Sequence, residues 1–146
     1  RLLSEIPVAT VAKIVDQVPL DEEIAGFIRN DPERCFIITG NLDVWIEKIA
    51  AKLGCGVFSS TAERRVDGRL GPLKNILRKS HAIRELRSKF DRLVCIGEGF
   101  NDVPMFEEAD VRIAYGGVHP PAQALVEISD YIIGNGSALC RLLKTL

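Results

Sequence analysis

The chain has 146 residues, 47% of them hydrophobic and 27% charged, with a formal net charge of −1. That profile excludes a disordered chain, and nothing in the near-neutral charge argues for a nucleic-acid or membrane surface. No apolar run approaches the roughly 18–20 residues of a membrane span, so a single soluble domain over 1–146 is the expectation from length.

Residues 1–20 carry Glu5, Lys13 and Asp16 in place of the continuous apolar segment of a secretory leader. Residues 1–30 read as helical: Ile6, Val8, Val11, Ile14 and Val15 fall at helical spacing, Pro19 punctuates, and Ile24, Phe27 and Ile28 follow. Asn30-Asp31-Pro32 is a turn into a first strand. Strands are expected at Cys35–Thr39, Gly56–Ser59, Leu93–Ile96, Val111–Ala114 and Tyr131–Ile133. Most are continuously apolar, as strands covered on both faces are.

Between them Leu42, Trp45, Ile46, Ile49 and Leu53 make one helix face closed by Gly54. Ile76, Leu77, Ile83, Leu86 and Phe90 predict helix around 73–90, broken near Ser80. Pro104 suits the first turn of a short helix over 103–109, and further helices are expected over Pro121–Ile128 and Ala138–Leu146. Alternating strands and helices predict an α/β fold with a parallel sheet. One segment departs from the alternation: Asp67-Gly68, between short flanks in 61–72, reads as a β-hairpin. Cys35, Cys55, Cys95 and Cys140 form no CxxC pair and read as buried, reduced thiols of a cytoplasmic protein.

Ligands of open α/β sheets bind beyond the carboxyl ends of the strands. After the first strand come Thr39, Gly40 and Asn41, a hydroxyl and free amides that suit an anion; an N-cap explains the same residues. After the third strand come Gly97, Glu98, Gly99, Asn101 and Asp102. Two acids and an amide between glycines suit a hard cation such as Mg²⁺; a polar turn with Asp102 capping the next helix is the alternative. Lys79, at a predicted helix start, could neutralise a phosphate oxygen or hold a carboxylate.

Order and spacing of these segments resemble the haloacid dehalogenase-like (HAD) superfamily, most closely its phosphoserine-phosphatase-type branch. IITGN (37–41) is similar to the family's second motif, KSHAIREL (79–86) to its third, and GEGFNDVPMFEEADVRIAYGG (97–117) to its fourth, usually GDGxNDxPM. The resemblance implies a Rossmann-like core with helices on both faces and hydrolysis of a small phosphorylated substrate with Mg²⁺. By it, Thr39 and Lys79 are catalytic. Thr39, Gly40, Asn41, Lys79 and Asn101 bind phosphate, and Glu98 and Asp102 serve the metal.

Two departures stand out. Residue 98 is Glu where the family usually has Asp, and the first motif, whose leading Asp is the nucleophile of DxDxT/V, is absent. In the family the strand bearing that motif is central to the sheet, so its absence opens two apolar strand edges. Residues 1–30 then read as the remnant of a helical cap and its connection. The expectation is a chain that starts downstream of its true N-terminus. Otherwise the edge is met by a repacked sheet, by a second copy or partner chain, or by residues 6–15 as a strand. The functional expectation is a HAD-type phosphatase, inactive as this chain alone. The alternatives are a silent HAD-like module that binds a phosphorylated ligand or protein, and the phosphorylation domain of a P-type ATPase.

Overall fold

A computed structural model describes residues 5–146 and separates the chain into two units, Arg1–Leu77 and Arg78–Leu146. The first opens with two helices, α1 (Val8–Asp16) and α2 (Glu22–Asn30). The segment 6–15 therefore forms no strand; its apolar residues recur at helical spacing, and Val8 is buried. Asp21 caps α2, its Oδ1 accepting from the amides of Glu23 at 3.0 Å and Ile24 at 3.1 Å.

β1 (Phe36–Leu42), α3 (Asp43–Leu53) and β2 (Gly56–Arg64) form a β–α–β unit, and β1 pairs with β2 in parallel. Gly54 ends α3 at φ 72°, the left-handed conformation glycine takes without steric cost. β1 runs three residues beyond the expected end at Thr39, with its register shifting between Thr39 and Leu42. The turn Asp67-Gly68, with Gly68 at φ 79°, joins β2 to the antiparallel β3 (Leu70–Asn75). The hairpin is longer than expected, and the helix predicted from 73 starts only at Lys79. Cross-strand pairing of Ala62 with Leu73 and Thr61 with Asn75 holds this stretch extended, and the Ser60 hydroxyl accepts from the Leu77 amide at 3.0 Å. Those non-local bonds override the local apolar spacing of Ile76 and Leu77. Val8, Leu42, Val44 and Ala62 form this unit's core, with Trp45 and Leu70 packed on it.

The second unit contains α4 (Lys79–Arg87), β4 (Val94–Gly97), α5 (Val103–Phe106), β5 (Val111–Tyr115), α6 (Gln123–Val126), β6 (Tyr131–Ile133) and α7 (Gly136–Leu143). Its strands are parallel in the order β4-β5-β6. Ala82, Ile83 and Leu86 give α4 a buried face, and Phe106, Ile113, Leu125 and Leu139 complete an apolar interior. α5, α6 and α7 are shorter than the sequence predicted.

The result is an α/β fold with parallel strands and connecting helices, as the alternation predicted. It is laid out as two three-stranded sheets, in which β1 is an edge of the first and β4 an edge of the second. Among the described residues no helix is long and apolar enough to cross a membrane.

Candidate functional site

The second unit brings Lys79 and Asp102 together at the carboxyl end of β4. Lys79 is the first residue of α4, where a cation opposes the helix dipole. Its ammonium makes a short ion pair with Asp102 Oδ1, which offsets that cost. Both side chains are largely withdrawn from water, with exposures of 15% for Lys79 and 7% for Asp102.

Asp102 also organises its own loop. Its Oδ2 accepts from the amides of Glu98 at 3.0 Å and Gly99 at 3.1 Å, and its amide donates to the Gly99 carbonyl at 2.9 Å. It thus satisfies the loop rather than capping α5; the intervening residues Phe100–Asp102 form a turn of 3-10 helix. The glycines follow from this closeness. A Cβ on Gly97 would lie 2.7–2.8 Å from Asp102 side-chain atoms, and one on Gly99 would lie 2.7 Å from Asn101 Oδ1.

Glu98 turns the other way. Its carboxylate lies 3.4 Å from His119 Nε2, with both side chains substantially exposed, and its carbonyl accepts from the Ala122 amide at 2.8 Å. The segment 116–122 is therefore stitched to the acidic loop. Asn101 is exposed in the same loop.

In the first unit, Thr39, Gly40 and Asn41 occupy the irregular part of β1. Neither Thr39 nor Asn41 caps α3, whose N-cap position is Leu42. The Thr39 hydroxyl accepts from the Asn41 amide at 3.1 Å, and a Cβ on Gly40 would meet open space.

Comparison with known proteins shows which family builds such a loop. Residues 1–107 match the family of haloacid dehalogenase-like hydrolases. The chain belongs to this family. Its sequence is 26% identical over 126 residues to a phosphoserine phosphatase of Methanocaldococcus jannaschii, covering 78% of this chain and 60% of that enzyme. It is 25% identical over 122 residues to a zinc-transporting ATPase of Synechocystis, covering 82% of this chain and 15% of the ATPase. The chain thus spans less than two thirds of the length of either relative. The fold is similar to a solved phospho-aspartyl intermediate analogue of phosphoserine phosphatase, with a TM-score of 0.77 and 25% identity. That match covers 99% of this chain and 73% of the other. These likenesses place the chain in the phosphoserine-phosphatase-type branch.

A Mg²⁺ ion of the kind the family resemblance implies would need oxygen donors from this loop. Asp102 has one carboxylate oxygen on Lys79 and the other on two amides, while Glu98 is the more accessible acid and faces His119. Among the described residues no group of three or more His, Cys, Asp or Glu side chains converges to hold a metal. These residues do not by themselves fit a complete Mg²⁺ site, which needs near-octahedral oxygen ligation.

Ion pairs that the sequence reading overlooked fix the strands behind the loop. Asp110 precedes β5; its Oδ2 accepts from Arg87 at 2.6 Å and from the Leu93 amide at 2.7 Å, which hold its carboxyl below the usual range. Asp130 precedes β6 and is lowered likewise by hydrogen bonds from the Arg112 side chain and amide. Cys95, beneath the loop on β4, has its thiol pushed up to about 12 by burial. Burial removes it as a nucleophile.

Proposed function

We propose that this chain carries the phosphoryl-recognition part of a HAD-type phosphomonoesterase acting on a small phosphorylated substrate. The observation that supports it best is the withdrawn Lys79–Asp102 pair at the end of β4. An ammonium has three donors. Asp102 takes one and fixes the direction of the side chain, leaving donors for a phosphoryl oxygen. Holding that charge in place before the ligand arrives is how such a site stabilises the transferring group. Asn101 would add a side-chain donor from the same loop. In the first unit, Thr39, Gly40 and Asn41 are the phosphate-binding residues that the family resemblance implies.

No aspartyl nucleophile is assigned here, because the 146 residues contain no Asp-x-Asp. The chain alone would therefore bind a phosphoryl group without forming an aspartyl-phosphate. Glu98 is the ligand it would offer to Mg²⁺, and the remaining ligands would have to come from elsewhere. A cytoplasmic setting and a partner segment or second copy along the open edge of β1 or β4 belong to the same proposal.

The pairing of Glu98 with His119 favours a second reading, a silent module that binds a phosphorylated ligand. The two readings separate on the protein translated from its own start codon. The phosphatase reading expects Mg²⁺-dependent hydrolysis of phosphoserine or p-nitrophenyl phosphate, reduced at least 100-fold by Asp102→Asn. Phosphate binding without any turnover in that protein would leave only the silent module. The ATPase-domain reading would instead require phosphorylation by ATP.

A further inference from the structure

Two of the four cysteines stand at matching positions on neighbouring strands. Cys35 immediately precedes β1 and Cys55 immediately precedes β2, and the first register pair of these parallel strands is Phe36 with Gly56. Stepping back one residue on each strand sets Cys35 beside Cys55. The backbone at Cys35 is extended, at φ −112° and ψ 138°, so the strand geometry continues through it. Phe36 pins the register, because its ring covers Gly56 so closely that a Cβ there would sit 2.5 Å from a ring carbon.

Neighbouring strands lie about 4.8 Å apart, inside the roughly 4.4–6.8 Å range of Cα separations that disulfides span. Paired residues of parallel strands also send their side chains to the same face. Both thiols are free and half-buried, whereas Cys95 and Cys140 are buried. The two are close enough to feel each other: burial raises the Cys35 thiol, and the charge of Cys55 raises it further.

The geometry points to Cys35 and Cys55 as a vicinal dithiol that closes to an intramolecular disulfide on reaction with a small disulfide oxidant. One thiolate attacks a sulfur of oxidised glutathione, forming a mixed disulfide and releasing one glutathione thiolate. The second thiolate attacks the protein sulfur of that mixed disulfide, forming the Cys35–Cys55 bond and releasing the second. Two protons leave the protein thiols, and the two electrons reside on two molecules of reduced glutathione. The bond would cross-link the entrances of β1 and β2 and close the segment that holds α3. Because both thiols are raised by burial, closure is slow near neutral pH and faster in mild alkali.

The test is to incubate the folded protein with excess oxidised glutathione at mildly alkaline pH. Thiols are then counted after unfolding, and the peptides mapped. The expected result is loss of two of the four thiols, a mass lower by two hydrogens with no retained glutathione, and a peptide joining Cys35 to Cys55. The melting temperature should rise by several degrees as the loop is closed. Cys35→Ser and Cys55→Ser should each retain one glutathione and lose that rise. A stable glutathione adduct on wild-type Cys35 or Cys55 would overturn the inference, as would a bridge to Cys95 or Cys140. So would four intact thiols under conditions that oxidise a small dithiol.

Discussion

The strand-end segments 39–41 and 97–102 carry similar residue types, yet they are built differently. The first is an irregular stretch of strand whose one side-chain bond among the described residues is local, from Asn41 to Thr39. The second is locked by a buried carboxylate that binds a lysine 23 residues away and two amides of its own loop. Glycine shows the contrast again: Gly40 faces open space, while Gly97 and Gly99 sit against side chains. A loop committed to holding charge must be over-determined, whereas a loop that supplies a hydroxyl and amides can remain open. On this account the 97–102 loop is preorganised for charge, and the 39–41 segment is not.

The largest expected effect comes from breaking the lock. Asp102→Ala leaves Lys79 withdrawn from water without a counter-charge and should cost about 3–5 kcal/mol in urea unfolding. A cost below about 1 kcal/mol would mean that the pair is solvated. Next is the comparison of glycines. Gly97→Ala forces Asp102 aside and should cost about 1–3 kcal/mol, whereas Gly40→Ala should stay within about 0.5 kcal/mol. Equal costs would remove the distinction between the loops.

Acid stability comes third. Asp110 and Asp130 have lowered carboxyls, so their contribution is fully present above the ordinary carboxylate value and is lost as pH falls through the lower folded value. Stability should therefore hold from neutrality to about pH 5 and decline modestly below about pH 4. Asp110→Asn should flatten part of that slope in acid titrations followed by circular dichroism. A small effect is also expected of Thr39→Val, which loses one exposed local bond worth about 0.5–1 kcal/mol at most in urea unfolding.

Much of this was legible in the sequence because it is locally encoded. The strands at 56, 94, 111 and 131 begin within a residue of the apolar runs that predicted them, and Gly54 ends α3 as its position implied. The GEGFND loop was readable because its glycines, amide and acids lie within six residues. What escaped depends on distant pairing. The Asp67-Gly68 turn announced the hairpin, but nothing local carries β3 on to Asn75, since that extension comes from the ladder with β2. The Asp110–Arg87 pair joins residues 23 apart, and the Glu98–His119 contact depends on how 116–122 folds back. Cys35 and Cys55 were read as buried and unrelated, because their proximity follows from the strand register. The roles of Thr39, Gly40, Asn41, Lys79, Glu98, Asn101 and Asp102 rest on the chemistry proposed above.

The central claim is that the Lys79–Asp102 loop recognises a phosphoryl group, and an orthophosphate titration followed by amide NMR tests it most directly. The account predicts saturable shifts at Gly97–Asp102 and Lys79 that disappear in Lys79→Met while the rest of the spectrum stays folded. Shifts of equal size in Lys79→Met, or none in this loop at saturating phosphate, would contradict it.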